Sequence, residues 1–150
     1  MDAFKLLKSD HEKVAGIMEK IEGTTERALK TREELFTQLK TELDIHAEIE
    51  ENILYPVLKK AEESREITLE AFEEHRLVKQ LLGELEGEAK DNEKWTAKFT
   101  VLKENIEHHV KEEEGEMFTK ARKVLSREEI EELGTRMEEA KVKHKTAAAR

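Results

Sequence analysis

The chain has 150 residues, enough for one domain with a real core and short for two. Charged residues make up 42% and apolar ones 37%, with one proline and six glycines, which suits a solvated helical bundle and leaves too few turn residues for a multi-stranded sheet. The formal charge of −9 argues against sequence-independent nucleic-acid binding, no apolar run approaches a membrane span, and the lack of cysteine removes disulfides, thiolate metal sites and cysteine nucleophiles.

The opening, MDAFKLLKSDHEK, has no apolar signal region, so a cytoplasmic location is the default expectation. Phe4, Leu7, His11, Val14, Met18 and Ile21 step by three and four, the stripe of a first helix that Gly23-Thr24-Thr25 ends. Thr31 and Glu34 predict a capping box at the start of the second. Its stripe is Leu35, Leu39, Leu43, His46, Glu50, Ile53/Leu54 and Val57, and Pro56 is expected to kink it near its end. After a break at 62–65, a third helix aligns Phe72, His75, Val78, Leu82 and Leu85 and closes over 87–92. The fourth aligns Phe99, Leu102, Ile106, His109, Glu113 and Met117. Ser126 with Glu129 predicts another capping box and a short fifth helix to about Met137 or Ala140, with 141–150 a frayed tail. The expected fold is all-α: an up-down-up-down four-helix bundle over 1–140 with a short C-terminal fifth helix.

An internal repeat runs through these elements. His11 and His75 are 64 residues apart, while His46/His109 and Glu50/Glu113 are each 63 apart. Each half therefore brings one lone histidine and one His-x-x-x-Glu. In an antiparallel bundle, two residues share a level when the connecting loop lies midway between them. The midpoints between successive histidines fall near Ala28, Ala61 to Glu62 and Asn92, at the predicted breaks. His11, His46, His75 and His109 should occupy one layer.

A histidine and a glutamate at i and i+4 lie on one helix face, one turn apart. His11, His46, Glu50, His75, His109 and Glu113 thus surround a space with no arginine or lysine on the same stripes. Buried carboxylates need compensation, and metal ions are the simplest source. Two ions bridged by Glu50 and Glu113 would each receive two imidazole nitrogens and two carboxylate oxygens, with room for a bridging oxo or hydroxo group and an exogenous ligand. Nitrogen and oxygen donors without sulfur suit iron first, then manganese or zinc. His108 with Glu112 is an alternative pair one residue off the inward stripe, and Glu114 competes with Glu113. Tyr55 reads as a packing residue rather than part of the site's surroundings, and Trp95 as a cap on the core.

At these residues the chain resembles the hemerythrin-like family, in particular the HHE cation-binding domains of bacteria and archaea. The resemblance is carried by SDHEKV at His11, HAEIEENILYP at His46 and Glu50, EEHRLV at His75 and HHVKEEEGEMF at His109 and Glu113, across roughly residues 1–140. It implies a bundle around a non-haem di-iron centre in which the four histidines are terminal ligands and the two glutamates bridges. The oxygen-carrying hemerythrins have His-x-x-x-His where this chain has His75 and Lys79, and His-x-x-x-x-Asp where it has His109 with Glu113, or Glu114 at the matching spacing. The poorer nitrogen set favours peroxide chemistry over reversible oxygen carriage. Among HHE relatives the resemblance points to catalase-like activity in some and to iron or oxygen sensing in others. The expected function is binding or reduction of oxygen or hydrogen peroxide in stress defence, with oxygen, nitric oxide or iron sensing through a partner protein as the alternative.

Overall fold

The structure, a computed structural model, describes residues 1–148. Helix α1 spans Ala3–Glu22, with the Asp2 carboxylate accepting from the Lys5 amide at 2.9 Å, and stops at Gly23, whose amide donates to the Glu19 carbonyl. Helix α2 (Leu29–Ile49) runs through a π turn, Glu50–Leu54, into α3 (Tyr55–Lys60). Helix α4 spans Glu62–Gly87. Helix α5 (Glu93–Glu112) starts at Asn92, whose side chain accepts from the Trp95 amide. It passes through a second π turn, Glu113–Met117, into α6 (Phe118–Val124). Helix α7, Arg127–Ala148, packs along α1 and α2. Among the described residues there is no strand. Four rods, α1, α2–α3, α4 and α5–α6, make the expected bundle, and α7 is the fifth helix.

Three local expectations change. The Thr31/Glu34 box does not form: α2 starts at Leu29, behind Ala28, which offers no side-chain cap, so Thr31 is already helical. The second box does form, with the Glu129 amide donating to Ser126 Oγ at 3.1 Å and the Ser126 amide to Glu129 Oε1 at 2.9 Å. Helix α7 also continues past Ala140 to Ala148, because the Lys141 ammonium bonds Asp10 and Lys145 lies 3.6 Å from Glu42. The expected tail 141–150 is thus helical as far as it is described, and residues 149–150 lie outside the described residues.

The apolar core is in two parts. One, around Phe4, Leu7, Ile49, Leu54, Leu58, Phe118 and Met137, fills the end that α7 covers. The other, around Met18, Ile21, Phe36, Leu39, Leu85, Trp95 and Phe99, fills the opposite end. Trp95 caps that end as expected, fully buried, with its indole N–H donating to the Leu85 carbonyl at 3.0 Å. Between the two cores lies a layer of buried polar side chains.

Candidate metal centre

That layer gathers the six side chains singled out by the repeat. Glu50 and Glu113 are 0% and 1% exposed, and the four histidines are nearly as buried. Oε1 of Glu50 lies 3.0 Å from His46 Nε2 and 3.2 Å from His75 Nε2, so it reaches both halves. Glu113 does the same, with Oε1 at 3.0 Å from His11 Nε2 and Oε2 at 3.4 Å from His109 Nε2. Two donor groups result, His11–His46–Glu50–Glu113 and Glu50–His75–His109, sharing Glu50.

What orients the imidazoles is a set of four carboxylates outside the layer. Each histidine Nδ1–H donates to one: His11 to Glu114 at 2.6 Å, His46 to Asp10 at 3.1 Å, His75 to Glu51 at 2.8 Å and His109 to Glu74 at 2.6 Å. An ionised carboxylate only accepts, so the proton sits on Nδ1 and every Nε2 lone pair turns inward. The pattern follows the repeat. The residue before each lone histidine, Asp10 or Glu74, holds the second histidine of its own half. The residue after each inward glutamate, Glu51 or Glu114, holds the lone histidine of the other half. The two halves are cross-tied through their own site.

Inside, the groups lack partners. His11 Nε2, His46 Nε2, Glu113 Oε1 and both Glu50 oxygens are buried without a hydrogen bond, although some approach to 3.0 Å. The Nε2 atoms of His75 and His109 face each other at 3.3 Å, two lone pairs with no proton between them when both Nδ1 atoms are protonated. Buried acceptors without donors are costly, and cations among them would satisfy all of them together. The donor set therefore fits metal ions. Without metal the layer takes up protons instead. Burial by itself would depress His109, but Glu113 and Glu74 outweigh it and push its pKa up to about 10. His46 is raised against burial by Glu50 and Asp10, and Glu113 is held well below the usual range, against its own burial, by the hydrogen bonds around it.

Tyr55 belongs to the site, contrary to its reading as packing. Its hydroxyl donates to Glu113 Oε2 and lies 3.4 and 3.5 Å from Nε2 of His75 and His109. Its repeat counterpart is Phe118, stacked on Phe4 with ring centroids 4.4 Å apart, so the layer is chemically lopsided. Glu114 is an outer holder of His11 rather than a rival of Glu113, and His108 is exposed with the half-buried Glu112 beside it, outside the layer. Asp10, Glu51 and Glu74 carry no signal in the sequence that singles them out.

On the side of the Trp95 core, a cavity of about 40 Å³ touches all four histidines. Val14, Leu43, Ala47, Val78, Leu82, Ile106 and Val110 line it, with Asp44 and Lys79 as its other polar residues. That volume holds two or three waters or one small molecule.

The chain matches the family described as Hemerythrin HHE cation binding domain over residues 2–121, and it belongs to that family. Proteins of this family bind cations. The fold is similar to the crystal structure of a hemerythrin HHE cation binding domain-containing protein from Mycobacterium kansasii, with TM-score 0.88 and 29% identity over 99% of this chain and 90% of that one. An uncharacterised protein of Mycobacterium tuberculosis is 33% identical over 141 residues, covering 91% of this chain and 83% of its own length. A protein named DNA nickase from a Nostoc species is 27% identical over 143 residues, 95% of this chain but 40% of that protein. No helix among the described residues is long and apolar enough to cross a membrane.

Proposed function

We propose that the chain is a non-haem di-iron protein that binds or reduces a small O–O ligand, hydrogen peroxide first and oxygen second. His11 and His46 would hold one ion, His75 and His109 the other, and Glu50 and Glu113 would bridge them. The observation that carries this is the pair of inward donor groups sharing Glu50, in which His11 Nε2, His46 Nε2, Glu113 Oε1 and both Glu50 oxygens are buried without a hydrogen bond. The all-nitrogen-and-oxygen donors together with the need for a redox ion favour iron or manganese over zinc, and iron is the first choice. Two adjacent irons would supply the two electrons that split the O–O bond of one peroxide to water, and oxidation of a second peroxide to oxygen would return them.

The chain's own residues do the rest. The small apolar cavity admits a molecule the size of peroxide and keeps larger reductants away. Tyr55 holds a proton beside Glu113, on the His75/His109 side, where it can be given to a departing oxygen. The test is oxygen evolution on adding peroxide to iron-loaded protein, with metal content and visible spectrum recorded. Turnover no greater than that of the His46→Ala/Glu50→Ala variant removes the catalytic reading.

One observation favours sensing as a second reading. Lys141 on α7 bonds Asp10, which holds His46, so the last helix is tied to the centre through two side chains. Amide exchange of α7 that changes between the metal-free and loaded states would support a signal passed to a partner protein.

A further inference from the structure

The pseudo-twofold repeat fails at one place, and the failure has a direction. In the first half, the Asp10 oxygen that does not hold His46 is bonded by the Lys141 ammonium of α7. The flank there is closed by Ile45 and Ile49, buried at 7% and 1% exposure. In the second half, the counterpart of Asp10 is Glu74, which holds His109 through Oε1. Helix α7 does not reach this side. Among the described residues no lysine or arginine lies within ion-pair distance of Glu74, whose ion-pair partners are His108 and His109. The counterparts of Ile45 and Ile49 are His108 and Glu112.

We propose that Glu74, His108 and Glu112 form a peripheral divalent-cation site, in which a metal ion takes the place that the Lys141 ammonium holds in the other half. His108 Nε2 lies 3.2 Å from Glu112 Oε2 and 3.6 Å from Glu74 Oε2, and one donor atom from each residue falls within 4.8 Å of the others. Donors on an ion with bonds of about 2.1 Å sit roughly 3.4 Å apart in tetrahedral geometry, so little movement is needed. His108 and Glu112 are at i and i+4 on α5, and Glu74 comes across from α4, which gives a site fixed by two helices. One imidazole and two carboxylates suit zinc, manganese or ferrous ions, with water completing the shell because His108 is 72% exposed. The site is distinct from the central layer but joined to it through Glu74, whose other oxygen holds His109.

The experiment is equilibrium dialysis of the protein carrying its resident metal against zinc, with all metals counted together. Wild type should gain one zinc per chain with no loss of resident metal. His108→Ala, at a side chain 72% exposed, and Glu112→Gln, one residue off the inward stripe and isosteric, should keep the resident metal and lose that zinc at a concentration that saturates wild type. No gain in wild type, a gain only at the expense of resident metal, or undiminished zinc in either variant overturns the site. The count of resident metal reports on the central layer separately, so failure of one does not read as failure of the other.

Discussion

At the scale of single residues, the centre depends as much on what holds the imidazoles as on the imidazoles. An Nδ1–H bound to a carboxylate makes Nε2 more basic and fixes its direction. Glu114 is partly exposed, with 32% of its side chain accessible, so Glu114→Ala should fold. It should nonetheless bind metal about 10–100-fold more weakly, as outer partners of metal-bound histidines do. Dialysis against a graded chelator measures this, and the loss should fall on one ion of two, the one beside His11. Tyr55→Phe tests the opposite kind of role. The ring keeps its packing against Phe72, whose centroid is 5.3 Å away, while the proton beside Glu113 is lost. Iron content should stay unchanged while peroxide turnover falls, by about a hundredfold if the hydroxyl is the general acid. The six inward residues were legible in sequence because each lies on a stripe that should be apolar. The four holders were not, because they sit one residue off those stripes in a chain with 36 acidic residues, where one more carboxylate carries no signal. Tyr55 is not legible as a site residue because an aromatic residue on an inward face is ordinary core, and its partner Glu113 is 58 residues away.

At the scale of elements, the two π turns begin at Glu50 and Glu113, the two inward glutamates. A π turn inserts one residue into a helix and rotates the facing of every residue beyond it, and such turns cluster at functional sites. Here it lets both glutamates point into the layer and also returns Leu54 and Met117 to the core one turn on. Pro56 was expected to bend the second rod, and the distortion is indeed next to it. However, the second copy has the same turn with no proline, so the proline accommodates the turn and does not cause it. Periodicity cannot show a one-residue insertion when Ile53 and Leu54, either side of the shift, are both apolar. Helix α7 makes its own demand. A Cβ at Gly134 would fall on the Met1 carbonyl oxygen and close to the Ala3 amide, so α7 touches the start of α1 backbone to backbone. Gly134→Ala should lower stability by about 1–3 kcal/mol, the usual cost of overpacking, read as a drop in denaturant midpoint. It should also loosen the Lys141–Asp10 bond and therefore weaken metal retention at His46.

At the scale of the whole molecule, the bundle is two apolar cores separated by a slab of charge, and the slab decides how stability responds to metal and pH. The common level of the four histidines followed from loop midpoints alone, because short connections force antiparallel neighbours. The cavity and the outer carboxylates did not follow, since they depend on side-chain directions across different helices. Without metal, His109, His46 and His75 all have pKa values raised by the surrounding carboxylates against the effect of burial, so the folded layer holds protons that the unfolded chain releases. For raised groups, the resulting stability is complete below the unfolded value of about 6.5 and is lost as pH rises through the folded values, about 10 for His109. The metal-free protein should therefore melt at progressively lower temperature from pH 6.5 towards pH 10. Metal and protons compete for the same Nε2 atoms, so metal affinity should rise over that range. At neutral pH, free metal at one hundred times the dissociation constant adds about 2.7 kcal/mol per ion, roughly 5–10 °C in a chain of this size. Calorimetry of chelated and loaded protein across the range should show the gap between the two melting temperatures widening with pH. A constant gap would mean that the slab is held by its internal hydrogen bonds and not by cations.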